Sequence, residues 1–175
     1  MKRVLSMLAA TALVAGVQAQ EAETSDEIET IGIGLRADIG TNGDIMPAIA
    51  VRWAPVPLGG EILVSQSGLS SDSGGADFSS SRLMLAGKVF QAFIERDNSS
   101  LYAGGKLGLT HNRSEVNGIK STSTALLFGG LVGAEWRPKD LPELGFNFEV
   151  GYDISTESDT TTYGVLTSVG ATYYF

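Results

Sequence analysis

From Ile31 onward the chain alternates between apolar and polar positions. Over Ile31–Gly40, one face carries Ile31, Ile33, Leu35, Ala37 and Ile39, and the other carries Gly32, Gly34, Arg36, Asp38 and Gly40. A period of two is the mark of a strand, because successive side chains point to opposite faces. The same pattern predicts strands over Ile45–Ala54, Gly60–Ser67, Ser81–Ile94, Ser100–Thr110, Thr122–Arg137, Leu144–Ile154 and Thr162–Phe175. Alternation is clearest in the seventh, where Leu144, Phe146, Phe148, Val150, Tyr152 and Ile154 oppose Gly145, Asn147, Glu149, Gly151 and Asp153. It is weakest in the third, where Leu63 falls on the polar face. The last strand ends the chain on Phe175. It is longer than the roughly 9–11 residues that carry a tilted strand across a bilayer.

The connections divide into two kinds. Pro55–Gly59, Glu95–Ser99 and Pro138–Glu143 are short, whereas Gly68–Ser80, His111–Ser121 and Ser155–Thr161 read as longer polar loops. Thr41–Asp44 is a tight turn, since Asn42-Gly43 supplies the positive φ angles a two-residue hairpin needs. Pro47 must sit near a strand end or at a bulge, because it cannot donate to a ladder. Beyond the N-terminus no segment has a 3.6-residue period. The fold class expected is all-β: an eight-stranded antiparallel up-and-down transmembrane β-barrel. The glycine-rich Gly129–Gly133 lies in mid-strand with no helix after it, which excludes a nucleotide-binding turn.

Charge decides which face is inside. The non-apolar faces carry Arg36, Asp38, Arg52, Glu61, Arg82, Lys88, Lys106, Glu135, Glu149 and Asp153, among residues that are mostly Gly, Ala, Ser and Thr. Positive and negative residues balance in this set, so they can form an interior network of salt bridges. That matters because an unpaired buried charge costs several kcal/mol. The opposite faces form an apolar band with Trp53, Trp136, Tyr173 and Phe175 near one end, the arrangement of an interfacial aromatic belt. An apolar band outside with small and charged residues inside fits a narrow barrel in lipid. In lipid every strand amide needs a partner, so the last strand must close on Ile31–Gly40.

Residues 1–19 read as a signal peptide: Lys2 and Arg3, an apolar stretch from Val4 to Val17, and the A-x-A-like Val17-Gln18-Ala19. Residues 20–30 are an acidic, flexible lead-in, and residues 31–175 form one barrel domain. With no cysteine among 175 residues, disulfides and thiolate sites are excluded. A net charge of −8 argues against nucleic acid, which requires a basic face.

The signal segment, the eight alternating strands and the terminal Ala171–Phe175 (ATYYF) resemble the small bacterial outer-membrane β-barrels of the OmpA/OmpX type. The resemblance implies that Tyr173 and Phe175 form the C-terminal signal read by the barrel-assembly machinery. It also implies periplasmic chaperones during biogenesis, contact with outer-membrane lipid and lipopolysaccharide, a cell outer membrane location, and a monomer.

Catalysis would need a base beside a nucleophile. His111 is the one histidine, with Ser114 and Glu115 close in sequence but badly spaced for a triad. Glu149 and Asp153 read better as partners of interior Arg and Lys than as catalytic carboxylates. Asp72, Asp77, Glu157 and Asp159 lack the spacing of a Ca²⁺ loop and read as solvated charge. The expectation is a non-enzymatic outer-membrane barrel that contributes to envelope structure, with little or no pore, no cofactor and no metal. Two rivals remain. One is an outer-membrane barrel enzyme acting on lipid A; the other is a soluble lipocalin-like binding barrel in the periplasm, which requires the opposite face polarity.

Overall fold

The computed structural model describes residues 31–40, 45–53, 58–73 and 76–175. The expected signal segment, the lead-in and the Asn42-Gly43 turn lie outside the described residues. Eight strands follow in order: β1 (Ile31–Gly40), β2 (Ile45–Trp53), β3 (Leu58–Ser73), β4 (Ala76–Arg96), β5 (Ser99–Val116), β6 (Ile119–Trp136), β7 (Leu144–Glu157) and β8 (Thr160–Tyr174). Each pairs antiparallel with its neighbours in sequence, and β8 pairs with β1, from Gly32 against Tyr174 to Gly40 against Leu166. The ring is closed, as the terminal strand's alternation predicts. Among the described residues no helix is long and apolar enough to cross a membrane.

Face polarity follows the sequence pattern. Ile33, Leu35, Ile49, Val64, Leu85, Leu107, Phe148 and Val165 point outward and are exposed. Arg36, Arg52, Glu61, Lys88, Glu135 and Glu149 point inward and are buried. The soluble-barrel rival needs the reverse arrangement. Leu63, the residue that blurred the third strand, is fully buried in the lumen, within a cluster that includes Met84 and Leu127. The interior is therefore part ionic and part apolar. Glycine makes close approach possible near the termini: a Cβ on Gly32 would sit 2.8 Å from Tyr174 Cδ1.

Pro47 is the third residue of β2 and faces Ala37 of β1. The β2–β3 ladder starts only at Ala48, so no rung on that side asks for the missing N–H, and Ser65 Oγ donates to the Pro47 carbonyl at 2.6 Å. A register shift between Ala92 and Ile94 of β4 marks a bulge that leaves both Phe93 and Ile94 outward. Bulges of this kind gather at barrel rims.

The three expected polar loops are a correction. Gly68–Ser80 is mostly strand, with Gly68 against Ser81 and Ser73 against Ala76. His111–Ser121 is a hairpin that turns at Asn117-Gly118, both with positive φ (51° and 81°). Ser155–Thr161 turns at Ser158, φ 45°, with Glu157 against Thr160. Serine and threonine on both faces erase the apolar alternation but still fill a solvated ladder. The hairpins consequently rise past the closed ring. The β2–β3 ladder stops at Ser65 while β3 continues to Ser73, and the β6–β7 ladder stops at Leu126 while β6 begins at Ile119.

Gly118 tests this hairpin. A Gly118→Val substitution puts a β-branched residue at φ +81°, at a cost of about 1–2 kcal/mol. Amide exchange over residues 113–122 should rise, while protection of β1, β7 and β8 stays unchanged. Equal loss of protection around the whole ring would contradict an independently rising hairpin.

Candidate functional site

The lumen is built from rungs that run round the ring. One rung passes through Arg52 of β2, Glu61 of β3, Lys88 of β4, Lys106 of β5, Gly129 of β6 and Asp153 of β7. Signs alternate except where Lys88 and Lys106 stand side by side. Like charges directly opposite repel, and the two lysines diverge. Lys88 Nζ lies 2.6 Å from Glu149 Oε2 and 3.2 Å from Glu61 Oε1. Lys106 Nζ lies 2.5 Å from Asp153 Oδ2.

Three clusters result. At the centre, Glu61 and Glu149 are shared by three cations. Arg36 bonds Glu61 directly, and its Nη2 lies 3.0 Å from Glu149 Oε1. Arg52 Nη1 donates to Glu61 Oε2 at 3.0 Å, and Tyr102 OH donates to Glu149 Oε1 at 2.8 Å. Arg52 also stacks on Phe90 and Tyr102, 4.1 and 4.9 Å from the ring centroids. Toward the termini, Glu135 collects Arg52 Nε at 3.0 Å, Arg137 Nε at 2.7 Å, Asn147 Nδ2 at 2.7 Å and Tyr174 OH at 2.7 Å. Thr172 in turn donates to Asn147 Oδ1 at 3.1 Å. The third cluster is Lys106 with Asp153 and, at 4.0 Å, Asp38. Such geometry makes a filled interior: the charges are held by one another, and the remaining donors are phenols, an amide and a hydroxyl.

Nine of the ten charges expected inside stand in these clusters. Arg82 does not. Its side chain is exposed, and its Nε donates to Asn112 Oδ1 at 2.9 Å. Met84 and Ala86 separate it from Lys88 along the inner face of β4, so it stands at the open mouth, where water solvates it. Arg137, at the other end, supplies the missing positive charge and packs over Tyr174 at 3.9 Å. Tyr102, Tyr174 and Asn147 also belong to the network. Their inward parity was available in the pattern, but a phenol or amide carries no charge to attract notice.

At the end where the chain terminates, register brings Trp53 opposite Ile31, Tyr173 opposite Ile33 and Leu144, and Trp136 opposite Phe146. Trp136 and Phe146 stack at 5.8 Å, and Phe175 N donates to Ile31 O at 3.0 Å. Tyr152 and Tyr163 stack at 6.2 Å farther along the outer wall. His111 and Ser114, three apart on β5, fall on opposite faces, and Glu115 pairs loosely with Lys120 at 3.9 Å. His111 Nδ1 instead meets Thr124 Oγ1 at 3.1 Å. Asp77 and Asp159 are exposed, and Glu157 is half-buried. Among the described residues no group of three or more His, Asp or Glu gathers as a metal site.

Arg52 is the most connected cation, and Arg52→Met measures its weight. Removing one partner from a buried ionic cluster costs about 3–5 kcal/mol, chiefly through the acids left behind. Urea unfolding of the lipid-reconstituted barrel should show that loss, and Arg52→Met/Glu61→Gln should recover part of it. A loss below about 1 kcal/mol, the range of a surface ion pair, would contradict the central role of Arg52.

No protein-family model and no curated protein matches the chain. Solved structures do match in fold. Neisserial surface protein A superposes with a TM-score of 0.58 at 16% identity, covering 83% of this chain and 95% of that one. A major outer membrane protein from Thermus thermophilus gives 0.56 at 14% identity, covering 85% and 100%. Ail, the attachment invasion locus protein of Yersinia pestis, solved in complex with the heparin analogue sucrose octasulfate, gives 0.50 at 18% identity, covering 83% and 96%.

Proposed function

We propose that this chain, whose fold is that of the small eight-stranded outer-membrane barrels, is an integral outer-membrane protein that contributes to envelope structure without catalysing a reaction. One observation carries this reading: a closed ladder turns its apolar faces outward all the way round and its charges inward. In water that arrangement exposes an apolar belt and buries ions, both unfavourable; in lipid the closed ring pairs its strand amides and keeps the lumen charges away from hydrocarbon. The export expected from residues 1–19 delivers the chain to the matching compartment. Outer-membrane lipid and lipopolysaccharide are then its surroundings, the barrel-assembly machinery and periplasmic chaperones its partners during biogenesis, and the monomer its working form.

The filled lumen supports a barrel with little or no conductance. Against the lipid A enzyme, His111 and Ser114 lie on opposite faces of β5, so the serine is out of the histidine's reach. Heat-modifiable migration after detergent extraction, together with near-silent planar bilayers, is the expected result. Release of the protein in detergent-free buffer would overturn the membrane reading, and steady open-channel current would overturn the sealed lumen.

Tyr173 and Phe175 are the proposed assembly signal, both exposed at the closing end of the ring. Deletion of Phe175 should lower the outer-membrane yield and raise the periplasmic degradation products. Normal yield on cell fractionation would remove the signal role.

A further inference from the structure

The outer wall changes character over a short distance on β5 and β6. Leu109 faces Leu126 in the last apolar rung that these two strands share on the outer face. The next outward rung sets His111 against Thr124, and the one above it sets Arg113 against Thr122. All four are exposed. On the other side of β5, Leu83 of β4 faces His111 and the exposed Ser81 faces Arg113, so the apolar band ends within one rung of Arg113. A strand rises about 7 Å in two residues. His111 and Arg113 therefore follow the band directly, at the depth where lipid headgroups begin. Arg113 makes no hydrogen bond or ion pair with any described residue. The acid on the same face, Glu115, stands beside Lys120 instead, at 3.9 Å. His111 Nδ1 meets Thr124 Oγ1 at 3.1 Å, which leaves Nε2 free. One unanswered guanidinium thus shares a patch of wall with two hydroxyls and an imidazole, all able to donate hydrogen bonds. The hairpin acids Asp77 and Asp159 are exposed farther out, beside the turns.

We propose that this patch binds a phosphate group of lipopolysaccharide in the outer leaflet, with Arg113 as its charged ligand. A guanidinium presents a planar fork to two phosphate oxygens at once. The hydroxyls of Ser81 and Thr122 and the His111 Nε2 are neutral donors on the same surface. A phosphate offers acceptor oxygens to all of them, and its charge answers the one cation of this face that the protein leaves unpaired. Position selects a lipid over a phosphate free in solution: the apolar wall below Arg113 takes acyl chains while the guanidinium takes the headgroup. The assignment rests on the outer-membrane reading and deepens it, from a barrel surrounded by lipopolysaccharide to one that holds a particular group of it.

The test uses the full mature chain inserted into phosphatidylcholine vesicles, with heat-modifiable migration giving its unfolding temperature. The vesicles carry increasing fractions of bisphosphorylated lipid A, or of lipid A stripped of phosphate. The expected result is a saturable rise with the phosphorylated lipid and none with the stripped one. Arg113→Gln should raise the half-saturating fraction about fivefold, the weight of one basic side chain at an anionic surface. Arg113→Lys should recover only part of that loss, because an ammonium keeps the charge and lacks the fork. Arg96→Gln, exposed at the opposite end of β4, controls for general charge attraction and should leave half-saturation unchanged. An equal response to the two lipids overturns the proposal, and so does an Arg96→Gln effect as large as that of Arg113→Gln. A rise in plain vesicles on adding inorganic phosphate overturns the lipid assignment in favour of a free ion. A chain that fails to insert into plain vesicles contradicts the outer-membrane reading and this site with it. One that inserts and ignores lipid A contradicts this site alone. If Arg113→Gln does not insert, the comparison of the two lipids on the unsubstituted chain decides.

Discussion

Charge compensation inside a narrow ring is the constraint on which the rest of this structure depends. Turning the apolar faces outward forces the polar faces inward, and eight strands enclose just enough room for side chains. Ions in that space must be answered by protein groups. The answer is a chain of shared partners: Glu61 and Glu149 each serve Arg36, Arg52 and Lys88, and Glu135 ties Arg52 to Arg137 at the end of the barrel. Sharing stiffens the whole. No strand from β1 to β7 can move without disturbing an ion from another, and β8 is held through Tyr174 and Thr172.

Much of this was legible from residue order. A period of two located all eight strands, and the sign of the residues on the polar faces told inside from outside. Illegibility began where the physical signal stopped. Above the band, Ser79, Ser80 and Ser81 of β4 face Glu115, Ser114 and Arg113 of β5, with no apolar residue to betray the alternation. The Asn117-Gly118 pair carried the same hairpin chemistry as Asn42-Gly43, yet it sat inside a polar run that reads as a loop. Arg82 shared the parity of Lys88 but not its depth, and depth depends on how rungs line up between strands, which a single strand's pattern does not encode. Leu63 and Met84 taught the opposite lesson: an inward position is a place to be filled, and an apolar side chain fills it as well as a charged one.

The ionic and apolar parts of the lumen have different consequences. Around Glu61 and Glu149 every charge has several partners, so single substitutions are felt by the whole cluster. Near Asp38 the arrangement is sparser: one ammonium answers two acids, and Met46, its partner in the β1–β2 ladder, packs against the apolar cluster. The lumen is thus filled by ion pairs at one level and by hydrocarbon at another. Charge ties the strands together at the first level, and apolar packing does so at the second.

Those hairpins also reveal how deep the molecule can sink. Wherever a strand outruns its neighbour, a row of N–H and C=O groups loses its partner, and hydrocarbon offers none in return. On β6 the last rung shared with β7 is Leu126, and Leu126 is also the last outward apolar residue before Thr124, Thr122 and Lys120. Two unrelated properties, backbone pairing and side-chain polarity, change at the same residue. Together they draw a waterline on the barrel wall: below it the chain can satisfy itself, and above it the chain requires the aqueous phase.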